Sequence, residues 1–240
     1  MLENEQNKSS VVILGFFIFL GLSVLGYLLA AAAVEVKEYE RTVTAKGLSE
    51  REYPADIVIW PIKFTVANND LATLYNSVDA SNLKIKQFLQ KNGINEKEIS
   101  FSAPVITDKS AQQYGNAKAE FRYSAVQSVT VYSENVRQVR ELMSTLSELG
   151  KSGIVFTGNN YQSRTEYIFT RLNAVKPEMI EEATKQARQV AQKFAADSQS
   201  KLGKIRKAKQ GQFSISARDQ NNPHIKKIRV VSTVEYYLSD

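Results

Sequence analysis

An uninterrupted apolar stretch near the start of the chain is the strongest feature of its hydrophobic pattern. From Val11 to Val34 there are 24 consecutive residues without a charge. At about 1.5 Å per residue, a helix of that length reaches about 36 Å, enough for a hydrocarbon core of roughly 30 Å. The stretch is apolar on every face, unlike a helix at the surface of a soluble core. We therefore predict a transmembrane anchor over residues 11–34, preceded by a short tail over residues 1–10.

A cleaved signal peptide is the alternative interpretation of this stretch. The alanines at positions 31–33 are small residues of the kind found at a cleavage site. The stretch is nevertheless longer than the roughly 7–15 apolar residues of a signal peptide, which favours an anchor. Basic residues are more frequent just after the span than before it, and this count alone favours a cytoplasmic domain. Long domains, however, cross membranes largely regardless of such charges.

Two strands are predicted directly after the anchor. Residues 41–49 form the first, and residues 54–66 form the second. Alternation in the second strand predicts one apolar face, made of Val58, Trp60, Ile62, Phe64 and Val66. Pro61 has no N–H to donate, so this strand is predicted to lie at a sheet edge or to be bulged there.

Three amphipathic helices are predicted further along the chain. The first begins after an N-cap supplied by Asn68-Asn69-Asp70 and stops at Gly93. The second is capped by Ser133 and closed by Gly150. The third begins at Asn173 and carries an alanine every fourth residue, which predicts a narrow ridge for close packing. The ridge consists of Ala183, Ala187, Ala191 and Ala195.

The remaining apolar segments are predicted to be strands. They lie near residues 98–107, 119–132, 153–157, 161–171, 204–217 and 224–238. The third and fourth of these are expected to form a hairpin across the turn at residues 158–160. The order ββαββαββαββ predicts an α+β domain over residues 41–238, joined to the anchor by a linker over residues 35–40. Its three helices are expected to pack on an antiparallel or mixed sheet.

Composition removes several classes of chemistry. The chain has 240 residues, no cysteine and a single histidine, His224, which excludes Cys/His zinc sites, thiol catalysis and disulfides. There is no phosphate-binding loop, G-x-G-x-x-G, H-E-x-x-H or G-x-S-x-G motif. His224 has no neighbouring carboxylate in sequence, and the pair Glu181 and Glu182 fits the first turns of a helix. We therefore predict a protein that is not an enzyme and that binds no cofactor.

Positive charge is concentrated near the C-terminus. Between Lys201 and Arg229 there are nine basic residues and one acidic residue, within a chain of net charge +6. Such residues either protect exposed strand edges from aggregation or contact an anionic membrane or protein partner. Nucleic acid is disfavoured, because Phe213 is the one aromatic residue from Lys204 to Arg229. The candidate anionic-surface contacts are Lys204, Arg206, Lys207, Lys209, Lys226, Lys227 and Arg229.

Five segments in order resemble the SIMPL domain (DUF541) family over roughly Glu40 to Leu238. They are VTAKG followed by Pro54-Ala55-Asp56, FLQKNGINEKEISFSAPVITDK, FRYSAVQSVTVYS, VRQVRELMSTLSELG, and the alanine-rich helix that ends at Lys201-Leu202-Gly203-Lys204-Ile205. No segment is specific alone, and their order and spacing carry the resemblance. Residues 197–200 depart from the family, whose members often have a glycine shortly before the Leu-Gly pair.

The resemblance implies an α+β fold and an envelope protein that is secreted or anchored in the bacterial inner membrane, with its domain outside the cytoplasm. Some members are associated with stress or assemble into ring-like oligomers, and an animal member is similar to a signalling adaptor. The family brings no established catalytic residues. The leading hypothesis is thus a membrane-anchored protein that acts through self-association, as a homo-oligomer, or through a protein partner. The alternatives are a module that docks on anionic lipid or acidic polymer, and a secreted protein of the same fold after signal cleavage.

Overall fold

The first helix contains the predicted membrane span. The computed structural model describes residues 3–38, 41–111, 120–157 and 164–239. Helix α1 (Glu3–Glu38) covers residues 11–34 completely and also takes in residues 3–10 and 35–38, which were assigned to a tail and a linker. Between Leu14 and Val34 it is long and apolar enough to cross a membrane, and none of that segment is buried against the rest of the protein. A signal sequence has the same properties.

In the part of the chain that the structure describes, four further α-helices and ten strands follow. The helices are α2 (Leu71–Lys91), α3 (Val136–Ser144), α4 (Ser147–Lys151) and α5 (Leu172–Asp197). Short 3₁₀ turns cover Glu96–Glu98 and Lys109–Ala111. The strands are β1 (Thr42–Pro54), β2 (Ile57–Asn68), β3 (Ile99–Phe101), β4 (Val105–Asp108), β5 (Tyr123–Ser133), β6 (Val155–Phe156), β7 (Glu166–Ile168), β8 (Lys201–Gln210), β9 (Ser214–Ala217) and β10 (Ile225–Ser239). The α+β class is confirmed.

The strands form two sheets, where the sequence predicted one. One sheet has the order β1-β10-β8 with β9 also paired to β10, and the other has the order β3-β5-β2-β6 with β4 on β5 and β7 on β2. The chain divides into two compact units. The first comprises Met1–Glu50, Pro177–Phe213 and Arg229–Asp240, and the second comprises Arg51–Lys176 and Ser214–Ile228. We describe each unit by itself.

In the first unit, the alanine ridge of α5 packs against the sheet. All four predicted alanines are buried, and so is Met179 one turn earlier. Ala187 and Ala191 form an apolar cluster with Ala45, Val234 and Tyr236. The approach is closest at Gly47 of β1, where an added Cβ would meet the Ala183 carbonyl oxygen and the Ala187 nitrogen. Small residues on both elements therefore bring the two backbones into contact, as the spacing predicted.

In the second unit, helices α2, α3 and α4 pack on one face of the six-stranded sheet. The alternation predicted for β2 is confirmed, because Val58, Trp60, Ile62 and Phe64 are buried. They form the main core with the inward residues of β5 and of the helices. Asp70 caps α2 as predicted, and its side chain accepts from the Thr73 N–H at 2.8 Å. Gly93 follows that helix with a φ of 85°.

A polar side chain lies among the inward residues of β5. Gln127 is 5% exposed. Its amide nitrogen donates to the Ser102 carbonyl at 2.6 Å, and its oxygen accepts from the Asn82 amide of α2 at 3.0 Å. The nitrogen and the oxygen of the Gln127 side-chain amide thus each have a hydrogen-bond partner, so the side chain can be buried without an unsatisfied polar atom at either end.

Pro61 does not lie at an edge or in a bulge, contrary to the prediction. Strand β2 is internal, and its register with β5 runs without a shift through Pro61 and Thr130. The Lys63 carbonyl accepts from the Thr157 N–H, on the side opposite β5, and alternation points the Pro61 backbone to that same side. There β7 pairs with Ile57–Ile59 and β6 with residues 64–65, so the missing donor falls in the gap between them.

Several predicted elements are subdivided in the structure. The second predicted helix is two helices and is capped by Asn135 rather than Ser133. The break follows from Ser144 and Thr145, whose hydroxyls donate to carbonyls three residues back. The predicted strand over 98–107 is interrupted around Pro104, and the one over 204–217 is interrupted at residues 211–213.

The hairpin predicted for residues 153–171 is wrong for the described residues. Strands β6 and β7 both pair antiparallel with β2, so they run in the same direction and cannot pair with each other as a hairpin. The predicted turn at residues 158–160 lies outside the described residues.

Candidate functional site

The predicted basic residues are divided between the two units. Lys204, Arg206, Lys207 and Lys209 lie on β8 in the first unit, together with Arg229 of β10. Lys226 and Lys227 lie at the start of β10 in the second unit. The first unit therefore contains five of the seven side chains, and the second unit contains two.

The two arginines of the set are engaged in ion pairs. The Arg206 guanidinium lies 2.9 Å from the Glu235 carboxylate, which also accepts from the Thr42 hydroxyl at 3.1 Å. Arg229 lies 3.9 Å from Glu50. Such exposed pairs contribute little to stability, but they reduce the positive charge available to a ligand.

Three lysines of β8 have charges that are available to a ligand. Among the residues that the structure describes, Lys204, Lys207 and Lys209 have no ion-pair partner, and all three are exposed. β8 is the last strand of its sheet in the order β1-β10-β8. Its ladder with β10 shifts register twice, near Tyr236. Such bulges and lysines are both typical of a protected edge strand.

Lys226 has different surroundings from the β8 lysines. It is partly buried, and burial lowers the pKa of its ammonium group. Arg164 lowers that pKa further, whereas Glu166 raises it. A lysine in this environment is a poorer contact for a surface ligand than the exposed lysines of β8.

The outer face of the six-stranded sheet is a feature that the sequence analysis missed. We call it the open face, because the three helices of this unit pack on the other side. Its members are Ser100, Val105, Thr107, Ser124, Val126, Ser128, Thr130, Tyr132, Ile57, Ile59, Pro61, Lys63, Thr65, Ala67, Val155, Thr157, Glu166 and Ile168. Of these described residues, only Lys63 and Glu166 are charged.

One apolar row crosses four strands of the open face. The register places Val105 beside Val126, Val126 beside Thr65, and Thr65 beside Val155. Val105 is 67% exposed and Val155 is 65% exposed. These two exposed valines lie at the ends of the row, with the partly buried Val126 and Thr65 between them, and such a surface is suited to association.

His224 is held within the second unit. Its ring makes an edge contact with Tyr167 at 6.1 Å between centroids, and its carbonyl accepts from the Ala55 N–H at 2.8 Å. The Nδ1 atom is buried without a partner among the described residues. Burial lowers the pKa of the imidazole, as do the guanidiniums of Arg140 and Arg218, whereas Asp219 raises it. In a catalytic triad, a carboxylate accepts a hydrogen bond from the histidine. Among the described residues, no carboxylate makes this contact with Nδ1 of His224.

The environment of His224 predicts a specific pH dependence. Because the folded-state pKa is below its ordinary value of 6.5, the folded chain binds fewer protons than the unfolded chain in mildly acidic solution. The free energy of unfolding is expected to be level above that value and to fall as the pH drops through it. His224→Gln should flatten this part of the profile in urea unfolding. His224 is the only histidine, so its proton NMR signal reports the pKa directly, and a midpoint at or above 6.5 would contradict the prediction.

The acidic residues that could in principle serve as catalytic or metal-binding groups are engaged separately. Glu181 pairs with Lys185 at 2.6 Å, whereas Glu182 accepts from the Ser49 hydroxyl at 2.9 Å. Asp56 accepts from the N–H and hydroxyl of Thr170. Asp108 is paired with Arg122, and their hydrogen bond holds the pKa of Asp108 at about 2. Among the described residues, no three His, Asp or Glu side chains gather as metal ligands.

The comparisons with known proteins identify the chain through its sequence. A comparison with curated proteins finds no match. The sequence model of SIMPL, described as a protein of unknown function (DUF541), matches residues 43–235, which is most of the chain. The match covers both sheets and the helices α2 to α5. The chain therefore belongs to the SIMPL (DUF541) family.

Proposed function

We propose that this protein is a non-enzymatic, membrane-tethered envelope protein that acts by associating with further copies of itself through the open face. The apolar row of Val105, Val126, Thr65 and Val155 is the observation that carries this proposal. A sheet face of valine, threonine, serine and isoleucine can be desolvated at little electrostatic cost, because few charges lose their water.

The charges on the open face favour a second copy as the occupant. Lys63 and Glu166 have opposite signs and lie on different strands, β2 and β7. In a two-fold symmetric contact the same surface is used by both subunits. Lys63 of one copy can then face Glu166 of the other, so the surface is complementary to itself.

The anchor supports association at low affinity. When several copies are held in one membrane by residues 11–34, their local concentration substitutes for strong binding at the interface. We place the domain on the outer side of the inner membrane, as the family resemblance implies. A reporter at Asp240 that is active on one side only tests this, and activity of a cytoplasmic reporter would overturn the envelope assignment.

Two lysines on the open face should weaken self-association. The full-length chain in detergent micelles is expected to sediment as an oligomer in analytical ultracentrifugation. Val105→Lys with Val155→Lys should raise the dissociation constant about tenfold or more, since like charges would then meet across the interface. Both positions are exposed, so the fold should be retained.

A matched control places the same charges elsewhere. Asn76→Lys and Gln90→Lys lie at exposed positions of α2, which packs on the opposite face of the sheet. The control pair should sediment as the unchanged protein does. A wild-type chain that stays monomeric at high concentration would remove the self-association proposal.

An anionic ligand is the second candidate. It is favoured by Lys204, Lys207 and Lys209 of β8, which have no ion-pair partner among the described residues. Polyphosphate is a suitable probe, and its binding should weaken steeply as salt is added. Lys207→Glu with Lys209→Glu should abolish most of the binding. The control changes two exposed lysines on helices, Lys151→Glu with Lys193→Glu, and so has the same net charge. Equal effects of both pairs would show attraction to net charge alone and would overturn a β8 site.

A further inference from the structure

The second half of β8 has the geometry of a regular edge strand. From Lys207 to Gln210 its register with β10 runs without a shift, opposite residues 232–235. Every side chain from Lys204 to Gln210 is exposed. Among the described residues β8 pairs with β10 only, so the other side of its backbone has no strand beside it. Both shifts of register lie earlier in the strand.

The direction of each amide in this segment follows from one hydrogen bond. The Gly211 N–H donates to the Val231 carbonyl at 2.8 Å, so the backbone of Gly211 points towards β10. With a period of two, Lys209 and Lys207 also point towards β10. Ala208 and Gln210 therefore direct their N–H and C=O groups away from the sheet, where another strand would bind.

The side chains along this edge favour a binding partner with negative charge. In the register, Lys207 lies opposite Glu235 and Lys209 lies opposite Thr233. Glu235 is already engaged by Arg206 and Thr42, and among the described residues no ion pair joins it to Lys207. Lysines on an edge repel basic strands and disfavour pairing with neutral ones, because their charges would lose water. They attract a strand that carries carboxylates.

We propose that the Lys207–Gln210 edge binds an extended acidic polypeptide segment as an additional strand. The N–H groups of Ala208 and Gln210 donate to carbonyls of the segment, and Lys207 and Lys209 pair with its carboxylates. The proposal rests on the anionic-ligand candidate and names its ligand as a polypeptide. Backbone hydrogen bonds give such a site affinity, and alternate side chains give it specificity.

A proline substitution separates strand addition from simple charge attraction. The probe is a fluorescent ten-residue peptide of alternating glutamate and valine, added to the full chain in zwitterionic nanodiscs. Ala208→Pro removes an outward N–H and leaves every lysine in place. It should weaken peptide binding about tenfold in fluorescence anisotropy, since main-chain pairing at the edge is lost. Ala208→Val is the control and should bind as the wild type does.

Each of the two variants is tested against peptide and against polyphosphate, and the four combinations give distinct outcomes. Strand addition predicts that Ala208→Pro loses the peptide but keeps polyphosphate, whereas Lys207→Glu with Lys209→Glu loses both. If Ala208→Pro keeps the peptide, strand addition is overturned and the anionic-ligand candidate stands. If the charge-reversed chain keeps both ligands, both ideas fail.

Hydrogen exchange of the unmodified chain gives a test that needs no substitution. Bound peptide should slow exchange at the amides of Ala208 and Gln210 at least about tenfold, because both would enter a new ladder. The amides of Lys207 and Lys209 already face β10 and should change much less. Unchanged exchange at Ala208 and Gln210 under saturating peptide would contradict the proposal.

Discussion

Replacing Gly47 with valine is expected to lower the free energy of unfolding by about 3 kcal/mol, because the site has no room for a side chain. A Cβ at this position would meet the Ala183 carbonyl oxygen and the Ala187 nitrogen. These are backbone atoms of α5, which cannot rotate away as a side chain can. The helix must therefore move off the sheet, and the cluster of Ala45, Ala187, Ala191, Val234 and Tyr236 loses its packing.

A second glycine provides the control for this substitution. Gly150 lies inside α4, and a Cβ there would meet only the ring of Phe156 at 4.0 Å. Gly150→Ala should leave stability unchanged or raise it slightly, because alanine favours the helix. Urea unfolding of the full-length chain, followed by circular dichroism, measures both variants. A Gly47→Val chain as stable as Gly150→Ala would show that α5 does not approach β1 as closely as described.

Two arginines in the middle of α1 are expected to release the protein from membranes. Leu20→Arg with Val24→Arg places charges on adjacent turns of the apolar segment, each costing about 2.5–3.5 kcal/mol at a bilayer centre. The unchanged chain should remain in the membrane pellet after carbonate extraction. The arginine variant should appear in the soluble or aggregated fraction. Leu20→Ala with Val24→Ala is the control and should stay in the membrane.

The mass of the mature chain separates an anchor from a signal peptide. A retained anchor predicts an intact chain of 26.9 kDa in the membrane fraction. Cleavage after Ala33 would instead give a shorter chain that washes off the membrane. That result would remove the tethered part of the proposed function and leave the open face and the β8 edge as surfaces of a secreted protein.

Local patterns in the sequence were sufficient to predict the packed elements. The alternation of β2, the alanine ridge of α5 and the Asp70 cap each depend on residues within one element. A period of two or of about four fixes which side chains face inward without knowledge of the partner. These features therefore agree between sequence and structure.

Long-range pairing could not be predicted in the same way. The four-stranded sheet joins β1 near the start of the domain to β10 at its end, and no pattern within either strand names its partner. The same limit explains Pro61. Its missing N–H indicated an edge, whereas the structure leaves a gap between β6 and β7 at that place. The sequence shows that the backbone of Pro61 cannot donate to a neighbouring strand. Where β6 and β7 pair with β2, however, depends on segments far from Pro61.

The candidate surfaces were predicted only in part. The basic character of β8 is visible in the sequence, but the neutralisation of Arg206 by Glu235 depends on a contact 29 residues away. The open face was missed, although a signal exists. The outward positions of β2 and β5 are almost free of charge, and solvent-facing strands of a water-exposed domain usually carry more.

The amide of Gln127 has a consequence for how β5 finds its place. If β5 slipped by one residue along β2, every side chain would exchange faces, and Val126 or Ser128 would take the inward place of Gln127. Gln127 would then turn to water, and the Asn82 amide and the Ser102 carbonyl would lose these two hydrogen bonds. An apolar residue at this position would not provide this additional discrimination. The Gln127 amide thus adds a specific pair of hydrogen bonds to the alternation that already fixes the alignment of β5 on β2.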